Sequence, residues 1–118
     1  MKRKFDLQDR LIDFSVRIIK LSEKLSKSTK GKHISNQILR SGTSSAANYA
    51  EAQSAESRKD FIHKLKISLK ELRETEVWIK IIIKSEFFNS SLLESLLKEN
   101  DELISILFKS IDTAKKKY

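Results

Sequence analysis

Four basic residues recur at intervals of seven, Arg3, Arg10, Arg17 and Lys24, with Lys20 and Lys27 beside their line. Seven residues are close to two turns of an α-helix, so on one helix these six side chains share a face. Residues 1–30 hold nine Lys or Arg against four acids, a local excess of +5 in a chain whose formal net charge is +8. A basic line along a helix is the electrostatic footprint of phosphate contact. The same segment offers Asp6–Arg10, Asp13–Arg17 and Glu23–Lys27 at i,i+4, the spacing of a salt-bridged solvent face. Aromatic residues interleaved with the charges are few. Contact with RNA or DNA is therefore expected to run through backbone phosphates with little sequence preference.

A second polar set consists of Arg40 and Asn48, in a segment of small residues, and Glu71, Glu74 and Glu76 further on. Glu76 falls on an apolar stripe, where a charge is costly unless paired. The five are expected to form a buried network holding two helices together. The enzymatic reading of Glu71, Glu74 and Glu76 is a carboxylate-dependent nuclease with metal-dependent cleavage. The histidines, His33 and His63, argue against a metal centre. Asp60-Phe61-Ile62-His63 is the one carboxylate-x-x-His, whereas a di-iron bundle needs two such pairs and further inward glutamates. Cysteine is absent, and there is no nucleophile elbow, P-loop or glycine-rich phosphate loop. A non-enzymatic protein with no cofactor and no metal is expected.

The elements that position these residues must be helices. With no proline and only Gly31 and Gly42 in 118 residues, the chain lacks the turn punctuation of a sheet protein. Periodicity predicts helices over about 6–26, 32–54, 58–85 and 91–115, with the first turn at Gly31. They form one all-α domain, 1–118, an antiparallel up-down-up-down four-helix bundle. The first helix sets Leu7, Leu11, Phe14, Ile18, Leu21 and Leu25 on one stripe and Phe5, Ile12, Val16 and Ile19 on a second. Two apolar faces on one bundle helix call for a partner, so a homo-oligomer is expected, with Trp78 from the broad apolar surface of the third helix added to the interface. Ser57-Arg58-Lys59-Asp60 and Ser91-Leu92-Leu93-Glu94 resemble capping boxes opening the third and fourth helices. No apolar run approaches the ~20 residues of a membrane helix. The basic N-terminus leads into Asp6 rather than a secretory apolar region, so a cytoplasmic location is expected.

The stretch from Gln37 to Ala52, Gln-Ile-Leu-Arg-Ser-Gly-Thr-Ser-Ser-Ala-Ala-Asn-Tyr-Ala-Glu-Ala, resembles the signature of a bacterial four-helix-bundle family. That family is known from reading frames in intervening sequences of large-subunit ribosomal RNA genes. Asp60–Leu65 and Ser68–Trp78 resemble it too. The resemblance implies a homopentameric, barrel-like ring with a basic surface or channel. It is similar to the accessory protein of diversity-generating retroelements, which binds nucleic acid and partners a reverse transcriptase. A scaffold for such a protein partner, with no nucleic-acid role of its own, is the rival expectation.

Overall fold

The computed structural model describes residues 6–88 and 90–116, and among them the chain forms four helices: α1 (Leu7–Leu25), α2 (Thr29–Gln53), α3 (Arg58–Lys84) and α4 (Ser90–Lys116). The starts of α1, α2 and α3 are each capped by a side chain. Asp9 N–H donates to Asp6 Oδ1 (3.1 Å), Gly31 N–H to Ser28 Oγ (3.1 Å) and Asp60 N–H to Ser57 Oγ (3.0 Å). Each bond satisfies one of the amides that a helix start leaves unpaired. At the other end of α3, Glu86 adopts a left-handed conformation (φ 56°), the position where glycine is usual, and opens the loop carrying Phe87 and Phe88.

The helices run antiparallel in chain order, as the contacts between them show. Gln8 reaches the Ala46 carbonyl, while Ser35 reaches that of Ser22. Ser45 meets Ser68, and Thr75 meets Ser41. Asn100 donates to the Leu72 carbonyl (3.1 Å), and Arg58 to that of Ala114. The expected all-α bundle is the observed fold. All six α1 core residues, Leu7 through Leu25, are buried, as are Leu93, Leu96, Asn100, Leu103, Leu107 and Ile111 of α4.

Two details differ from expectation. Gly31 does not make the first turn. The turn is Ser26 to Ser28, and Gly31 lies in the first turn of α2 against α1, where a Cβ would stand 2.0 Å from the Leu25 carbonyl oxygen. Likewise Ser91 is already inside α4. The second difference concerns α3, where periodicity predicts a core stripe of Phe61, Leu65, Leu69, Leu72, Ile79 and Ile83, whereas the buried face is Leu65, Ser68, Leu72, Thr75, Ile79 and Ile82. Phe61, Leu69 and Ile83 are only half-buried. The face is rotated toward α2 because α2 presents small hydroxyl residues that draw Ser68 and Thr75 inward. Ser45 and Ser68 hydroxyls meet at 2.5 Å, and Thr75 Oγ1 donates to Ser41 Oγ at 2.9 Å.

Close approach between α1 and α2 rests on Gly42. A Cβ there would lie 2.7 Å from Ile18 Cγ2 and 2.8 Å from its Cγ1, and Ile18 is fully buried. Alanine is favoured over glycine in a helix by about 1 kcal/mol, but overpacking a closed core typically costs about 1–3 kcal/mol. Gly42→Ala should therefore lower the melting temperature followed by circular dichroism. Asn36→Ala, at an exposed position of the same helix, should leave it unchanged or higher.

Candidate nucleic-acid interface

Hydrogen bonds define two edges of α1. Gln8, Ser15 and Ser22 mark the edge toward α2, through the carbonyls of Ala46 and Gly42 and the Ser35 hydroxyl. Arg10 and Arg17 mark the edge toward α4. Arg10 is not available to a phosphate as expected. Its Nη2 donates to Glu99 Oε1 (2.6 Å) and Glu102 Oε1 (3.0 Å), and its Nε to Glu99 Oε2 (3.0 Å). The Glu99 hydrogen bond leads in raising the guanidinium above its ordinary pKa. Such a bidentate pair fixes a joint between helices. Arg3 lies outside the described residues.

The rest of the line is open. Arg17 is half-buried and donates to Ser95 Oγ at 3.1 Å, while Lys20, Lys24 and Lys27 are exposed. Among the described residues none of these four is in an ion pair, so Asp13–Arg17 and Glu23–Lys27 do not close. Lys30 and Lys32 continue the charge into α2, and from residue 17 to 32 the single acid is Glu23. The fold adds two rings that sequence reasoning missed. Lys24 Nζ stands 5.9 Å from the centroid of Phe88 and Lys30 Nζ 5.8 Å from that of Phe87. The one signal was a pair of adjacent aromatic residues in a polar turn.

On the other side of α1, Ile12, Val16 and Ile19 are exposed at 46%, 44% and 41%. By helix geometry they lie just beyond the edge facing α2, where exposed Leu39 is at the level of Ile19. Phe5 lies outside the described residues. Trp78 does not join this flank. It sits at the α2/α3 joint, where its Nε1 donates to Glu74 Oε2 (3.1 Å) and its ring meets His33 edge-on at 6.2 Å.

A model of the 23S rRNA-intervening sequence protein family matches residues 3–109, all of α1 to α3 and most of α4. The chain belongs to that family. Among solved structures it is similar to a protein of unknown function from the S23 ribosomal protein family of Bacteroides thetaiotaomicron VPI-5482. The two are 42% identical, with a TM-score of 0.86, over 90% of this chain and 98% of that one. No curated protein matches.

In this family member the expected buried network splits. Arg40 does bind Glu71 (3.1 Å) and Glu74, but at the surface, with half of its own side chain exposed. Asn48 instead donates to the Ser44 carbonyl within its own helix (2.9 Å). Glu76 turns away from α2, pairs with Lys80 at 3.2 Å and faces Asp101 of α4. The cause is the rotation of α3 described above, which puts Thr75 rather than Glu76 in the core. His63 is exposed. Among the described residues no group of three or more His, Asp or Glu side chains is placed to hold a metal.

Loss of surrounding water, and then the Glu76 charge, raise the Asp101 carboxyl above its ordinary value, with Lys80 opposing. A carboxyl raised by folding contributes stability below its unfolded pKa, and that contribution is lost as pH rises through the folded value. Asp101→Asn should therefore raise the melting temperature near pH 7, and the gain should shrink by about pH 3, below the ordinary value of 3.8.

Proposed function

We propose that this protein is a non-enzymatic, cytoplasmic, homo-oligomeric bundle that binds RNA or DNA through backbone phosphates. The observation that carries the reading is the C-terminal half of α1 with the turn after it, where Arg17, Lys20, Lys24 and Lys27 stand without ion-pair partners among the described residues. The two α4 carboxylates that reach α1, Glu99 and Glu102, are both taken by Arg10. Phosphate contact releases condensed counterions, so affinity rests on such open cations and falls steeply with salt.

Assembly supports the same reading. Ile12, Val16 and Ile19 form an exposed apolar flank on the border of α1 opposite Arg17 and Lys24. Copies that bury this flank leave Arg17 and Lys24 uncovered and repeat them around a ring, which the family resemblance makes a pentamer. The alternative is a scaffold for a protein partner such as a reverse transcriptase. It is favoured by a separate exposed pair on the outer face of α3, Val77 (55%) and Ile81 (38%). Neither reading needs a membrane, and no helix among the described residues is long and apolar enough to cross one.

Replacing Arg17, Lys20 and Lys24 together by glutamine should weaken retention on nucleic acid. It should also flatten the dependence of log affinity on log salt, by about 0.9 for each duplex phosphate that is no longer neutralised. An unchanged slope would remove these residues from the interface, and wild-type affinity that disappears near physiological salt would favour the scaffold. For assembly, Ile19→Lys should give smaller particles in light scattering with helicity retained. A wild-type protein already monomeric at micromolar concentration would defeat the apolar-flank argument.

A further inference from the structure

We infer that the open end of the bundle, at the C-terminus of α1 and the start of α4, is built for single-stranded nucleic acid, with unstacked bases seated beside the cations. The inference rests on the phosphate reading above and specifies the form of its ligand.

A narrow slot of about 210 Å³ lies between α1 and α4, with Leu21, Leu92 and Leu96 as its apolar lining and Arg17, Lys20 and Lys24 as its charged one. It is smaller than the ~300–1,000 Å³ of pockets for drug-sized ligands, and its size and apolar lining suit one planar ring. Leu92 is 49% exposed and stands beside the open cations. No acidic side chain lines the slot. Lys24 belongs both to this slot and to the face of Phe88, and the Phe88 ring is 6.1 Å from that of Phe87, under Lys30. Phe87 and Phe88 are half-buried against the core and show their remaining surface beside Lys30 and Lys24, so the slot, Lys24, Phe88, Phe87 and Lys30 follow one another with cations alternating with apolar or aromatic groups.

That alternation matches the repeat of a single strand, a phosphate and then a base whose face needs cover. Binding would lift the ammonium of Lys24 from the ring to a phosphate and leave the ring to a base, exchanging a cation–π contact for an ion pair and a stack. A duplex offers its phosphates to the same cations but keeps its bases stacked inside, so the leucines and rings go unused. Preference for single strands follows from the apolar faces alone. The cations do not distinguish the two forms.

The full-length protein should be titrated at one salt concentration with a fluorescein-labelled oligothymidine and with a mixed-sequence duplex of equal length, using wild type, Phe88→Leu and Leu92→Ser. Wild type should bind the single strand more tightly. Each substitution should weaken single-strand binding by about fivefold or more, the lower end of a base–aromatic stack, and change duplex binding by less than about twofold. Circular dichroism checks folding of the Phe88 variant, and Leu92, being exposed, provides the variant that leaves the core alone. Cross-linking of a 5-iodouracil oligonucleotide should map to peptides carrying Phe87 and Phe88. Equal affinity for both forms, equal effects of the substitutions on both, or cross-links elsewhere would overturn the inference while a salt-dependent affinity left the phosphate reading standing. Absence of binding to either form would overturn both.

Discussion

Helix α2 sits between α1 and α3 with almost no bulk of its own, and the rest of the bundle is arranged around that. Toward α1 it presents Gly31, Ser35 and Gly42, the last in contact with the branched side chain of Ile18. Toward α3 it presents Ser41 and Ser45, whose hydroxyls bond Thr75 and Ser68. Apolar burial comes mainly from α1, α3 and α4, while α2 contributes close approach and satisfied buried hydroxyls, each of which would be costly if left unpaired. A low-profile α2 also leaves the next row of α1 uncovered. The exposure of Ile12, Val16 and Ile19 is the other side of the same constraint.

Charge is divided along α1 by what α4 places opposite it. Glu99 and Glu102 hold Arg10, so the lower part of the basic line is a joint between helices. Higher up the neighbours are Ser95 and Leu92, and the cations find no carboxylate. One repeating pattern thus serves two purposes. The change from one to the other occurs within two helical turns, between Arg10 and Arg17.

Much of this was legible in the sequence where one residue type dominates a face. The six-residue α1 stripe has a single helical solution, and that face is buried as read. The α3 face was harder, because Ser68 and Thr75 are ordinary surface types until a neighbour offers hydroxyls. Their burial is a property of the α2/α3 pair, and it displaces Glu76 from the core and leaves Asn48 to its own helix. Gly31 misled for a related reason. A glycine marks a turn by its backbone freedom, yet here it serves by lacking a side chain beside the Leu25 carbonyl. The placement of Phe87 and Phe88 under Lys30 and Lys24 joins segments more than fifty residues apart, beyond the reach of local periodicity.

The two borders of α1, the apolar one of Ile12, Val16 and Ile19 and the cationic one of Arg10, Arg17 and Lys24, are set about a quarter of a turn or more apart around a single cylinder. Each residue advances a helix by about 100°. Losing one residue between Ile12 and Val16 would swing everything upstream through that angle relative to everything downstream, carrying Arg10 off its carboxylates and breaking the buried row from Leu7 to Leu25. Point changes on either border are local, whereas a change in the length of α1 disturbs core, joint and surface together. Variation in chain length is therefore best accommodated outside α1, in the connections between helices.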